Sequence, residues 1–258
     1  MANETHHRNR RTAWWMAAIL LSASPAASAQ NDAILNTALR YFTSHDAAGV
    51  LDRFEAIRPT PVSPAERERV LATLPPDGDV PDADLNAIQR QKLTALRRVL
   101  AVHGRESVYV VKVMKVPQAA VALHARAVLL VSASALDLLD PEELQALVAH
   151  EIGHEYFWDD YYRARGDDDR SLLRTLELLC DGIAIVTLRR TGTDPRQLTS
   201  ALEKVIRFNH DRFGTALNED LYPPLEVRQA FARRLLEWLT APSAAGATSM
   251  QRTAPRLQ

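Results

Sequence analysis

The chain has 258 residues, 47% of them hydrophobic, which is enough for one large domain or two small ones with a real core. Lys and Arg number 31 against 32 for Asp and Glu, so no charge excess points to nucleic acid or to an anionic membrane surface. The one cysteine, Cys180, excludes internal disulfides and leaves stability to packing or to a metal.

The first thirty residues differ from the rest. Arg8, Arg10 and Arg11 precede the apolar run AWWMAAILLSASPAA, and Ala27-Ser28-Ala29 precedes Gln30. This is the layout of a cleavable export signal over residues 1–29, cut near Ala29. The run from Ala13 to Leu21 is too short to span a bilayer, so the expectation is a periplasmic or otherwise exported protein without a stable membrane span. The Arg10-Arg11 pair fits a twin-arginine signal only loosely.

Beyond the signal, DAILNTALRYF and ADLNAIQRQKLTALRRVLAV carry apolar residues at helical spacing. Leu85, Ile88, Leu93, Leu96 and Leu100 form one expected core-facing stripe in the second. Between them a Pro- and Asp-rich stretch predicts a short helix starting near Ser63-Pro64, flanked by loops. Residues 107–132 are rich in β-branched side chains with a break near His124-Ala125-Arg126, which predicts a small antiparallel sheet. From Asp140 onward the pattern returns to helices, over roughly 141–157, 170–190, 195–210 and 224–240. The stretch WDDYYRARGDDD reads as a solvated charged loop, and residues 241–258 as a tail without periodicity. The expected class is mainly α with a small sheet (α+β), an N-terminal helical segment over 30–105 packing on a second unit over 106–240.

The chemistry concentrates in LVAHEIGHEYF, residues 147–157. Asp140 and Glu143 make a capping box, and Leu144, Leu147, Val148 and Ile152 make the buried stripe of the helix that follows. His150 and His154, four apart, then lie on one face, where both imidazoles reach one ion. Glu151 lies about 100° round the helix, beside the ion and not on it, as a general base must. Chance supplies on the order of one HExxH per hundred chains of this size, so two histidines alone do not separate a metal centre from an amphipathic helix.

A second stretch, ELLCDGIA (177–184), changes the balance. Glu177 and Asp181 share one face of an otherwise apolar helix, where like charges repel. Buried without partners they would be strongly destabilising. A cation and an imidazole resolve the conflict, with Glu177 as third zinc ligand and Asp181 accepting the N–H of His150. Cys180, inside the same turn, reads as a small buried packing residue.

Together, DPEELQALVAHEIGH, ELLCDGIA and YPPLEVRQAF (222–231) resemble the HtpX, Oma and CAAX-prenyl-endopeptidase family of zinc metallopeptidases, within the gluzincin group. The resemblance runs from about 107 to about 239 and implies a zincin-like helical metalloprotease domain, with the sheet at the edge of the cleft. It implies one Zn2+ per chain on His150, His154 and Glu177, Glu151 as base, and Tyr222, His210 or Arg228 as donor to the developing oxyanion. It also implies polypeptide substrates, in particular unfolded or misfolded envelope proteins, paired along an edge strand between Gln118 and Val131. The chain departs from the family pattern at Gln118-Ala119-Ala120, where Asn-Ala-Phe is frequent, and at His124-Ala125-Arg126, where a Pro-Gly turn is frequent. Tyr222 stands where histidine is usual. The same residues would suit a zinc-stabilised scaffold or chaperone module without turnover, or a metal hydrolase of small-molecule amides or esters. The intact Glu151 argues against the first, and an edge strand open to peptides against the second.

Overall fold

A computed structural model describes residues 25–44, 49–75, 78–214 and 221–241. The expected export signal lies mostly outside these residues, and so does nearly all of the expected tail. Residues 25–29, assigned by the sequence reading to the cleaved segment, open helix α1 (Pro25–Thr43).

Short helices α2 (Val50–Ala56) and α3 (Pro64–Leu71) follow. The start of α3 is where the sequence places it, since Ser63 accepts the Glu66 N–H at 3.2 Å and Pro64 fills the first turn. The next expected helix is two, α4 (Ala87–Ala95) and α5 (Arg97–Val102), parted at Leu96. The single stripe is corrected too: Leu85, Leu96 and Leu100 are buried, but Ile88 is 65% exposed, because Leu85 is extended and precedes the N-cap Asn86, so it shares no helical period with Ile88.

Strands β1 (Val110–Met114), β2 (Val121–His124) and β3 (Val128–Ser132) form a mixed sheet in the order β1-β3-β2, not the antiparallel sheet expected. Pro117 lacks an N–H and divides the first β-rich run in two. The second half, β2, turns back on β3 as an antiparallel hairpin, while β1 joins the other edge of β3 in parallel. Strand β3 is therefore central, with Val128, Leu129 and Val131 fully buried.

Helix α6 (Ala133–Leu138) leads into α7 (Pro141–Tyr156), α8 (Trp158–Gly166), α9 (Arg170–Thr191), α10 (Gln197–Phe213) and α11 (Leu225–Thr240). The capping box of α7 forms as read. Its Glu143 is itself buried and accepts from Ser200 at 2.6 Å and Lys204 at 2.7 Å, so the cap also docks α10. Helices α7 and α9 form the spine. A Cβ on Gly153 would come within 2.8 Å of the Cys180 Cα, so only glycine allows the two backbones to close to this distance. On the far side of α9, Phe42 of α1 covers Gly182, where a Cβ would meet its ring at 2.1 Å. One hydrophobic cluster runs from Ile34 to Leu235, so the N-terminal helices share a core with the rest. Among the described residues no helix is long and apolar enough to cross a membrane.

Candidate metal centre

The close approach of α7 and α9 brings the two sequence motifs face to face. Nε2 of His150 lies 3.3 Å from Glu177 Oε2, and Nε2 of His154 lies 3.7 Å from Glu177 Oε1, so the carboxylate straddles both imidazoles. Ligand atoms of His150, Glu151 and His154 lie within 4.8 Å of one another. With no proton on His150 Nε2, Glu177 Oε2 is buried without a hydrogen-bond partner, a costly condition for a carboxylate oxygen. Two ligands on a tetrahedral zinc, with bonds of about 2.0–2.1 Å, stand about 3.3 Å apart. The separation and the orphaned oxygen therefore fit a dication held by His150, His154 and Glu177.

Behind these atoms lies a buried support. Asp181 Oδ1 accepts from His150 Nδ1 at 2.9 Å, the contact expected from the sequence. Since an ionised carboxylate only accepts, Nδ1 keeps its proton, and Nε2, which faces Glu177, is the nitrogen that exchanges a proton for a metal. Arg228 closes the network by donating from Nε to Asp181 Oδ2 at 2.8 Å and from Nη2 to Oδ1 at 2.5 Å. Burial works against the Asp181 anion, but Arg228 and His150 outweigh it and hold its carboxyl below the usual range. Glu177 is likewise held low, against burial, by His154, His150 and Arg228. Asp181→Asn would set an amide N–H against these donors, and its zinc affinity is expected to fall about 10- to 100-fold. A zinc titration indistinguishable from the parent would remove the Asp181 contact from the account.

Burial also opposes the charging of His150, yet the Asp181 and Glu177 carboxylates raise its pKa to about 10 in the metal-free site. A folded-state pKa above the unfolded value of about 6.5 means stability that is full below pH ~6.5 and lost as pH rises toward 10. The chelated protein should thus lose thermal stability over this window, while zinc, which takes the place of the proton, should remove the decline. Melting curves across the window with and without zinc test this; parallel profiles would contradict it.

The open side of the site is a cleft under β2. A cavity of about 580 Å³ lies between β2, α7, α10 and α11, with Leu147, Ile206 and Leu225 in its apolar wall and His150, Glu151 and Tyr222 at its polar end. A smaller one, about 210 Å³, continues past Glu151 and His154 to Trp158 and Tyr161 of α8. Glu151 Oε2 accepts the Leu123 N–H at 3.0 Å, so the candidate base is tied to the edge strand. The β2–β3 turn holds Ala125 and Arg126 at φ 46° and 56°, a conformation costing about 1–2 kcal/mol per non-glycine residue. Arg126 offsets this by donating to Thr60 O at 2.6 Å and approaching Glu155 Oε1 at 3.5 Å.

Of the three expected donors, the structure brings two to the cleft. Tyr222 lines both cavities while 39% exposed, and its partial burial together with Glu177, Tyr161 and Glu151 raises its pKa, which keeps the phenol a donor. Arg228 borders the larger cavity, but its Nε and Nη2 are committed to Asp181, so it supports the ligand set. His210 is not brought in: its imidazole is exposed on α10 beside Asp211 and lines neither cavity. Cys180 is fully buried as expected, and its Sγ also lies 3.6 Å from His154 Nδ1.

The sequence reading missed Tyr161, whose ring meets His154 edge-on at 5.2 Å. The supposed loop is α8, and its signal was the helical spacing of Trp158 and Tyr161 beside buried Ala164. Glu155 was also missed. It is buried, ion-paired to Arg105 at 2.8 Å and bonded by Tyr109, and it anchors the end of α7. Compared with protein-family models and with curated proteins, the chain finds no match in either.

Proposed function

We propose that the protein is an exported, zinc-dependent metalloendopeptidase that hydrolyses peptide bonds of unfolded or misfolded envelope polypeptides. The observation that carries this reading is the buried Glu177 oxygen without a partner, 3.3 Å from His150 Nε2, facing a cleft that also holds Glu151. The HtpX-like pairing of HEIGH with ELLCDGIA supports the same assignment.

His150, His154 and Glu177 would hold the ion, while Asp181 and Arg228 orient His150. A bound zinc supplies Lewis acidity and lowers the pKa of a coordinated water. Glu151 takes the proton of the attacking water and returns it to the leaving amine. Tyr222 donates to the oxygen that gains charge, and Tyr161 lines the same small cavity beside His154. An extended polypeptide pairs with the edge of β2, where backbone hydrogen bonds read little sequence. The signal-like pattern over residues 1–29 supports a role in the cell envelope.

Metal analysis joined to a proteolysis assay on casein tests the reading. The expected result is about one zinc per chain and chelator-sensitive cleavage. Protein purified without chelator that holds no transition metal would overturn it.

A further inference from the structure

In an antiparallel pair, hydrogen bonds to the neighbour come from alternate residues, and the residues between them direct N–H and C=O the other way. Ser132 N–H donates to Ala120 O at 2.9 Å, and Ala127 N–H to His124 O at 3.0 Å. The even-numbered residues of this segment therefore face β3. Ala119, Val121 and Leu123 direct their peptide groups over the cleft.

Two of these three outward units are already engaged. Asn209, a buried residue of α10, accepts the Ala119 N–H on Oδ1 and donates from Nδ2 to the Ala119 carbonyl, both at 2.9 Å. Its side-chain amide makes the pair of bonds that a neighbouring strand would make. At the other end the Leu123 N–H is held by Glu151 at 3.0 Å. Val121 stands between, about 7 Å along the strand from each pinned unit. Val121 and Asn209 both border the larger cavity, beside His150 and Glu151.

We infer that Val121 is the rung on which the backbone of an extended polypeptide pairs, and that Asn209 is the positioning residue that sets this rung in register with Glu151. This rests on the peptidase reading. A strand slipped by one residue would turn the Val121 unit toward β3 and remove the rung from the cleft. Pins on both sides prevent the slip, and an amide suits position 209, because its acceptor and donor sit on separate atoms and meet the Ala119 N–H and C=O at once. A peptide paired at one rung gains little from main-chain bonds, so the apolar wall of the cavity supplies the rest of its hold.

The test uses the zinc-loaded full chain, fluorescent casein, and a ten-residue peptide taken from a casein site that the parent cleaves. Val121→Pro deletes the rung's N–H without taking a bond from the sheet, since proline is tolerated where an edge strand's N–H faces outward. Relative to Val121→Ala it should lose about tenfold in kcat/KM on the peptide, mainly through KM, with equal zinc content. Asn209→Leu should raise KM and lower kcat together at parental zinc content; a merely structural role would lower the melting temperature and leave both constants unchanged for the folded, zinc-loaded fraction. Val121→Pro and Val121→Ala cleaving alike would overturn the rung.

Amide hydrogen exchange on the free protein gives an arm independent of turnover. Ala119 and Leu123 should exchange slowly and Val121 fast, and Asn209→Leu should release Ala119 while Leu123, held by Glu151, stays slow. Equal exchange at all three in the parent would overturn the pinning. A parent that cleaves no peptide would overturn the rung together with the function it rests on, and the exchange pattern tells that failure from failure of the clamp.

Discussion

Glu151→Gln is expected to keep the fold and the zinc of the parent and to lose cleavage of casein by several orders of magnitude. The amide has the size of the carboxylate but cannot take a proton from the attacking water or hand one to the leaving amine, and each transfer contributes about 10²- to 10⁴-fold. The structure makes the substitution a clean one. Glu151 Oε2 accepts the Leu123 N–H, and a glutamine oxygen can accept the same bond, so the edge strand keeps its place. Nor does the change remove any of the three proposed ligands, His150, His154 and Glu177. Assays must compare samples of equal zinc content. A scaffold that holds zinc without turnover would show no effect, and equal cleavage by parent and variant would take HEIGH out of the chemistry.

Arg228→Met is expected to be the most damaging change that touches neither the ion nor the base. It removes both charged donors from Asp181, which is only 1% exposed to solvent. Breaking a buried pair from one side typically destabilises by about 3–5 kcal/mol, because a desolvated charge is left behind. Asp181 would then hold His150 less firmly, so zinc affinity should fall as well, by about 10- to 100-fold. Arg228→Lys should recover only part of either loss, since a point charge cannot make the paired contact of a guanidinium. Denaturant unfolding of the metal-free protein and zinc titration of the same samples provide the two measurements. Unchanged stability in the methionine variant would show that Asp181 does not depend on Arg228.

The parts of the site that lie within one helix were legible in the sequence. Helical geometry alone puts His150 beside His154 and Glu177 beside Asp181, and the apolar residues around each pair mark the faces as buried. The contact between Asp181 and His150 was also foreseeable, because two carboxylates on an apolar helix require cationic or donor partners. Start signals behaved in the same way: Ser63 and Asp140 cap the helices that follow them, since caps are made by residues three apart.

What depends on how the elements pack was decided by the tertiary structure. A β-rich run does not say which strand becomes central, so the parallel contact between β1 and β3 was not predicted. Ile88 continued an apolar stripe on paper and faces solvent in the fold, because the helix begins only after Asn86 and Leu85 is not on its face. Tyr222, His210 and Arg228 were equal candidates in the sequence, and only the placement of α10 and α11 separates them: one at the cleft, one in solvent, one beneath Asp181. Asn209 carried no local signal, since its partner, Ala119, is ninety residues away. Side chains on one helix meet through a fixed period, whereas side chains on different elements meet only where the whole core brings those elements together.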